Sequence, residues 1–450
     1  MLAGDRIARS FLFLSVSPTL ADTKAMNQLL SAIARLLLLS LSALAPSLAE
    51  AQITFRVNTV ADLIDTNISD NVCNTSANNC SLRAALMQTN ARVAAGQIDI
   101  LLPPGIYLLT RGLNLTAALG VDQVVYLTGA GAANTIIDGN QLDGVLQIEA
   151  GRRAWVRRLT IRNGNRLSPN SGGGIHSRAD GLIVSECVIE LNRAAANGGG
   201  IAQERGQLIV ELSSIRSNIA LNGGGIYSAL AVGSTDITQS VVHHNQAING
   251  GGFFVDGLAT DIRTSSVSNN VANTDGGGIF SRGGGGAAML ITSSSVIDND
   301  ADHDRDQLGG TGGGIYDVAG GVRVDVRNSL IARNTQLGFF DDDCFGSLNT
   351  SGRNLFGTLT GCITNTATSG LVAPDSLGPL LNNGGPTLTH ALLLGSAAIN
   401  GTLDSVPCAD NTADQRGAPR VAGFRCDVGA YEFGSIVPIV ELIFKDGFEF

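Results

Sequence analysis

Alternating aspartates between residues 298 and 306 form the densest set of side chains in the sequence that could bind a cation. They are Asp298, Asp300, Asp302, Asp304 and Asp306, with Arg305 among them. Carboxylate oxygens suit Ca²⁺, and an arginine beside a Ca²⁺ site could act as a base. A Ca²⁺-binding loop starting at Asp300 would need glycine at its sixth position and glutamate at its twelfth. The sequence has Arg305 and Thr311 there, so we interpret the segment as a solvated acidic loop, with Ca²⁺ binding as the alternative and no cofactor expected.

A second group of candidate residues is Asn273-Thr274-Asp275-Gly276. It resembles the first short signature of polygalacturonase-like hydrolases, which use one carboxyl group to protonate the leaving group and another to activate water. The later Gly-His-Gly and Arg-x-Lys signatures of those enzymes are absent from the sequence. We therefore expect Asp275 to be a turn residue, and no catalytic residue is assigned.

The remaining reactive side chains are isolated. Asp341-Asp342-Asp343 precedes Cys344 and is interpreted as a polar turn. His243-His244 precedes Asn245 and is interpreted as a pair of surface turn residues, because no further metal ligands have suitable spacing. Cys187 stands where related segments have serine, so a small buried residue is expected rather than a nucleophile.

A glycine triplet followed by Ile or Phe recurs six times and reveals the architecture that positions these residues. Successive triplets start 26, 25, 27, 26 and 36 residues apart, and the longest interval contains the aspartate segment. A unit of about 25 residues cannot bury an apolar face alone, so such units must stack on one another. The glycines allow tight corners with positive φ between short strands. The triplets begin at Gly172, Gly198, Gly223, Gly250, Gly276 and Gly312.

A second element keeps the same rhythm: a small residue, then Val or Ile, and finally Asn. Stacking at the inter-strand spacing of about 4.8 Å would place the aliphatic residues in one internal column and the asparagines in a hydrogen-bonded ladder. We predict an all-β fold, a single-stranded right-handed parallel β-helix. The asparagines are Asn192, Asn218, Asn245, Asn270, Asn299 and Asn334, and the small residues are Cys187, Ser213, Ser240, Ser265, Ser294 and Ser329.

The segment before the repeats predicts a cap. Residues 81–96 have Leu82, Ala85 and Leu86 at helical spacing, with Ser81 as N-cap. A short helix there would cover the open end of the β-helix, whose unpaired edge would otherwise favour aggregation. Further strands are expected at 98–102, 106–110, 124–127, 135–137 and 156–161.

The N-terminus has the pattern of an export signal: Arg35, an apolar run over 36–44, and small residues at Ala49 and Ala51. Cleavage after Ala51 is predicted, with Met26 as a second candidate start. The apolar run is too short to span a membrane, so no transmembrane segment is expected in the mature chain.

An exported context favours disulfides, and the close cysteine pairs are Cys73 with Cys80, Cys344 with Cys362, and Cys408 with Cys426. The net charge of −10 argues against binding nucleic acid.

Two segments resemble known families of exported bacterial proteins. Residues 80–86, Cys-Ser-Leu-Arg-Ala-Ala-Leu, with Asn90 after them, resemble the CSLREA motif, with Ala84 in place of its glutamate. Residues 371–432 resemble the region called choice-of-anchor Q. The rungs between them are similar to repeats of polymorphic outer-membrane proteins, with glycine replacing alanine. The pieces that match choice-of-anchor Q are 377–380, 383–387, 389–392, 414–417 and 426–432.

The resemblance implies a secreted or surface-attached solenoid of the pectin-lyase-like type, outside a Gram-negative cell, and implies no established reaction. We expect a non-enzymatic binding, adhesion or envelope protein whose partner is a cell-surface glycan or protein. The alternative is a lyase or hydrolase acting on acidic polysaccharide. The expected organisation is a signal peptide (1–51), a cap (52–97), the β-helix (98–340), a C-terminal region (341–433) and a tail (434–450).

Overall fold

A computed structural model describes residues 52–92, 96–111, 115–117, 123–149, 153–167, 170–228, 233–257, 259–282, 288–305, 310–318, 323–365, 370–403, 412–420 and 423–438. The predicted signal peptide and the end of the tail lie outside these residues. The described chain is an all-β, right-handed parallel β-helix, which confirms the predicted fold class. Each coil contributes one strand to each of three parallel sheets, which we number in the order in which the chain enters them.

Sheet 1 is the longest of the three. It begins at Ile53–Arg56, which pairs in parallel with Gly96–Leu101, so its first strand lies upstream of the helix. Its further strands are Gln123–Thr128, Arg153–Arg157, Gly181–Ser185, Gly206–Glu211, Gly233–Thr238, Ala259–Arg263, Ala288–Thr292, Arg323–Arg327, Cys344–Ser351 and Cys362–Thr364.

Sheet 2 follows sheet 1 in each coil and holds the strand that leads to the recurring asparagine. Its strands are Gly105–Leu108, Thr135–Asp138, Thr160–Arg162, Val188–Glu190, Ser214–Arg216, Val241–His243, Ser266–Ser268, Ser295–Ile297, Leu330–Ala332, Leu355–Phe356 and Gly370–Leu371. The strand predicted over 156–161 is divided between sheets 1 and 2, because Arg158 turns the chain at a φ of 58°.

Sheet 3 follows each glycine triplet. Its strands are Leu115–Ala117, Leu146–Ile148, Ile175–Ser177, Ile201–Gln203, Ile226–Ser228, Phe253–Asp256, Ile279–Arg282 and Ile315–Asp317, and it ends on Cys344–Ser351. Short strands lie at the corner between sheets 2 and 3: Asn165–Arg166, Arg193–Ala194, Gln246–Ala247, Val271–Ala272, Asp300–Ala301, Thr335–Gln336 and Phe340–Asp341.

The predicted asparagine ladder is present. The backbone and side-chain amides of each asparagine donate to the side-chain oxygen of the next, at 2.8–3.1 Å. Asn218, Asn245 and Asn270 are therefore nearest neighbours in one buried column. The serine column runs parallel to it, and each backbone N–H donates to the hydroxyl of the next coil at 3.0–3.2 Å. Like side chains are stacked on like, as the repeat predicted.

The glycine triplets show two different requirements. Only the first glycine of a triplet has positive φ, as at Gly223 (64°). A Cβ on Gly224 would lie 2.4 Å from the carbonyl oxygen of Gln246, and one on Gly225 would lie 3.0 Å from the amide nitrogen of Asn245. The sequence interpretation invoked corner geometry alone. The second and third glycines are instead required because neighbouring coils and the asparagine ladder pass within contact distance.

The N-terminal cap contains the one α-helix among the described residues, α1 (Leu82–Ala91). It is shorter than the predicted 81–96 and begins where expected, because the Ser81 hydroxyl accepts a hydrogen bond from the Ala84 N–H at 3.0 Å. Leu82 and Leu86 are buried in the main core. Arg83 pairs with Asp62 at 2.6 Å. The helix packs beside Gly96–Leu101, the second strand of sheet 1, and beside Leu115–Ala117, the first strand of sheet 3.

The C-terminal region folds back across the outer face of sheet 2. After a 3₁₀ turn at Pro374–Ser376, Leu377–Leu381 and Thr389–Leu392 form an antiparallel hairpin. We call residues 377–403, 412–420 and 423–433 the C-terminal clamp. Its Leu377, Leu392 and Val428 form a second small core with Ile297 and Leu330 of sheet 2. This core fixes the clamp against the side of the solenoid.

Candidate functional site

The outer face of sheet 1 carries an open groove of about 890 Å³ near its C-terminal end. In this sheet, inward side chains such as Val210 and Ile291 are fully buried, and alternate positions point outward. The strand register places Asp261, Leu290, Asp325 and Asn349 next to one another in a single column of outward side chains. The groove is therefore built from alternate residues of successive coils.

Three arginines line the groove, and two of them are held by carboxylates on their own strand. Arg263 pairs with Asp261, and Arg323 pairs with Asp325 at 2.7 Å. The two arginine side chains are 50% and 64% exposed, whereas the two aspartate side chains are 11% and 22% exposed. Each aspartate thus lies beneath its arginine and orients it. Arg327 is the third arginine of the lining.

Neutral acceptors and donors complete the lining. Asn349, Ser351 and Asn365 lie on its C-terminal side. The Oδ1 atom of Asp261 is buried in the groove and accepts no hydrogen bond. Its accessible area is close to zero, so it lies below the surface that a ligand would contact.

The opposite end of the same outward column is aromatic. Tyr126 and Trp155 stack with their ring centroids 5.4 Å apart, and Arg157 lies over the Tyr126 ring. Six strand steps of about 4.8 Å separate Trp155 from Asp325, which is about 29 Å along the axis. One face of the solenoid thus offers aromatic rings at one end and exposed guanidinium groups at the other.

The alternating aspartates do not come together. Asp298 pairs with Arg333 at 2.7 Å on the side of sheet 2. Asp300, at the corner, accepts from Thr335 Oγ1 and the Gly338 N–H at 2.8 and 2.7 Å and lies 2.8 Å from His303. Asp306 lies outside the described residues. The segment therefore divides between two faces, and Asp300 and Asp302 are buried rather than solvated.

Asp275 is a turn residue, as predicted: its Oδ1 accepts from the Thr311 N–H at 2.9 Å, next to a glycine triplet.

The interpretation of residues 341–343 as a polar turn was wrong for two of the three. Asp342 accepts from the Gly312 N–H at 2.7 Å. Asp343 ends the asparagine ladder by accepting from Asn334 and Thr358. Burial raises the pKa of Asp343 to about 6.

The interpretation of His243 as a surface residue was also wrong, because it ends a strand of sheet 2 and is buried, whereas His244 is exposed. His243 Nε2 lies 3.1 Å from Ser214 Oγ, and its Nδ1 lies 2.7 Å from Nδ1 of His244. This order matches that of a nucleophile, a base and an orienting group. Burial, His244 and Arg216 lower the pKa of His243 to about 3, so its ring is too weak a base to activate the serine at neutral pH.

The cysteines follow the expected pattern where they are described. Disulfides join Cys73 to Cys80 and Cys344 to Cys362, with Cα atoms 5.1 and 5.3 Å apart. Cys408 lies outside the described residues, so its pairing with Cys426 stays a prediction. Cys187 is a buried free thiol whose pKa is raised to about 12 by burial, which suits a packing residue rather than a nucleophile.

Two searches of the described residues bear on ligands and membranes. No group of three or more His, Cys, Asp or Glu side chains there is placed to hold a metal ion. Within the same residues, every helix is too short or too polar to cross a membrane.

The sequence interpretation missed the groove. Its residues are ordinary in type and lie about 100 positions apart, from Asp261 to Asn365. The signal available was alternation within sheet 1, where residues 259–263 and 323–327 place charged side chains at alternate outward positions. That signal becomes a site only when the coils are placed in register.

Comparison with known proteins agrees with this architecture. Residues 123–301 match the family model of the right-handed β-helix region. No curated protein and no solved structure matches the chain. The described chain is therefore a right-handed parallel β-helix, a fold family that includes both pectin-lyase-like enzymes and proteins without enzymatic activity.

Proposed function

We propose that this protein binds an anionic glycan along the outer face of sheet 1 without cleaving it. The observation that carries the proposal is the exposure of the Arg263 and Arg323 side chains, each paired with a less exposed aspartate on its own strand. A guanidinium presents paired N–H donors that match the carboxylate or sulfate groups of such a sugar. The stacked rings of Tyr126 and Trp155 extend the surface.

Hydrolysis is the second candidate, and one distance favours it. Asp261 and Asp325 are two strand steps apart, about 9.6 Å, close to the upper limit for the two carboxylates of an inverting glycosidase. Each of these carboxylates, however, is paired with an arginine on its own strand, so an arginine rather than a leaving group or a water is its partner. This favours binding over cleavage.

The groove can be tested with the purified protein and a panel of acidic and neutral polysaccharides, with and without Ca²⁺. We expect Arg263→Ala with Arg323→Ala to weaken binding of an acidic polysaccharide about tenfold or more, because charged hydrogen bonds are lost. Arg205→Ala is the matched control, since Arg205 is 51% exposed and lies outside the groove lining. Equal binding by the double variant, or release of unsaturated or reducing ends, would contradict the proposal.

We also infer that the protein is exported, with the segments at 80–86 and 371–432 corresponding to a CSLREA motif and a choice-of-anchor Q region. The two described disulfides support an oxidising compartment. We expect protein recovered from the cell envelope or medium to begin at Gln52 on N-terminal sequencing. Recovery from the cytoplasm with residues 26–51 intact would overturn this inference.

A further inference from the structure

We infer that the C-terminal clamp is an acid-sensitive strap: protonation of His390 detaches the clamp from sheet 2 while the solenoid stays folded. The inference is independent of glycan binding. It rests on how the clamp is attached and on what surrounds this histidine.

The clamp is attached to sheet 2 through its small apolar core and through hydrogen bonds. The Ser266 hydroxyl donates to Gln415 Oε1 at 2.6 Å, and Ser295 Oγ accepts from the Ala430 N–H at 3.0 Å. The Gly429 N–H donates to the Asn328 carbonyl at 2.9 Å. By comparison, each solenoid coil is bonded along whole strands to the coils on both sides. Detaching the clamp therefore breaks fewer backbone hydrogen bonds between strands than unfolding a solenoid coil would.

His390 lies at the contact between the two parts and is 2% exposed. Its Nδ1 lies 2.8 Å from the Gly378 carbonyl oxygen, and its Nε2 lies 2.8 Å from Ser268 Oγ. A carbonyl oxygen can only accept, so Nδ1 carries the proton and Nε2 accepts from the serine. The neutral ring satisfies both contacts, and it is the only uncharged tautomer that does.

A second proton on the ring would be unfavourable. Nε2–H would then point at Ser268 Oγ, which already accepts from Asn269 Nδ2 at 2.7 Å, and the serine hydroxyl would lose the acceptor of its own proton. The charged groups that face the ring are Arg333, whose Nη2 lies 3.3 Å from Nδ1, and Asp298, which pairs with Arg333 at 2.7 Å. Arg333 also donates to the Leu377 carbonyl at 2.8 Å, which holds this cation beside the ring. Protonated His390 would therefore face a guanidinium inside a buried interface.

The direction of the pH effect follows from these contacts. Burial lowers the pKa of His390 from 6.5 to about 4; the Gly378 carbonyl and Asp298 oppose this shift, and Arg333 adds to it. Between pH 6.5 and about pH 4, His390 therefore binds fewer protons in the attached clamp than in the detached clamp. Attachment is then complete above pH 6.5 and is lost progressively as the pH falls toward 4. The last coils respond oppositely, because burial raises the pKa values of Asp317 and Asp343 to about 6. Protonating those carboxyl groups relieves a buried charge.

Hydrogen exchange measured by mass spectrometry on the full protein at pH 7.5 and 4.5, corrected for intrinsic rates, tests this inference. We expect exchange of clamp peptides at 377–403 and 412–433 to rise on the order of ten- to a hundredfold at pH 4.5, with the asparagine-ladder coils at 188–228 unchanged. His390→Gln and His390→Asn should both remove this pH dependence, whether the clamp is then tight or loose. His303→Gln, at a ring that is 46% exposed in another loop, should keep it.

Two outcomes would overturn the inference. One is a clamp that exchanges equally at both pH values in the wild-type protein. The other is a pH response that survives in both His390 variants, since a group other than His390 would then control attachment.

Discussion

Replacing Asn245 by alanine is expected to lower the free energy of unfolding by about 4 kcal/mol, because several buried groups lose their partners at once. Asn245 Oδ1 accepts from both the N–H and the side-chain amide of Asn218 at 3.0 Å. Its own amide donates to the Ile215 carbonyl at 2.9 Å and to Asn270 at 3.0 Å. The column is buried, so these groups have no contact with bulk water in the folded protein. Urea denaturation followed by circular dichroism would measure the loss.

Asn249→Ala is the matched control for this prediction. Asn249 belongs to an outer row of asparagines that is only partly buried, where its amide donates to Asn222 at 3.4 Å. We expect a loss well under 1 kcal/mol there. If the two variants were equally stable, the inner ladder would contribute no more than the outer one, and the stabilising role given to it would be wrong.

The ladder also explains why the fold could be predicted from sequence. In a solenoid, residues that touch across coils are about one repeat apart in sequence. The spacing of Asn218, Asn245 and Asn270 therefore predicts directly which residues are in contact. The Ser81 cap and the two described disulfides were predictable for a similar reason, since each involves residues close in sequence. These features need only local chemistry or the repeat.

The clamp could not be predicted in the same way. Gln415 meets Ser266 and Ala430 meets Ser295 across separations of 149 and 135 residues, with no repeat to relate them. A signal was nevertheless present on sheet 2. On the coils of sheet 2 that the clamp does not cover, the outward positions carry an ion pair, Arg216 with Glu190 at 2.6 Å. Under the clamp the equivalent positions are small or apolar, as at Ser268 and Ala332.

The errors in the site interpretation have the same origin. Asp343 was assigned to a polar turn because aspartates usually face water, yet it takes the place of the next asparagine in the ladder and is 1% exposed. His243 was assigned to the surface because it precedes a turn. In both cases the position in the coil determines burial, and residue type is a poorer guide.

The clamp offers the other large expected effect, at Arg420. This side chain is fully buried and donates to the Gly429 and Ser293 carbonyls at 2.8 and 3.1 Å, so it joins the clamp to the solenoid. Asp427 and Glu432 lie near it and are also buried. Removing a buried cation leaves such carboxylates uncompensated, which typically costs about 3–5 kcal/mol.

We therefore expect Arg420→Ala to release the clamp at neutral pH. Hydrogen exchange of residues 412–433 should rise by at least a hundredfold, because about 3 kcal/mol corresponds to a factor of that size. Arg425→Ala is the control, since Arg425 is exposed and its side chain donates to the Thr402 carbonyl at 3.3 Å. The coils at 188–228 should keep their protection in both variants. Loss of protection in those coils together with the clamp would mean that the two parts unfold as one unit. The inference that the clamp detaches while the solenoid stays folded would then be wrong.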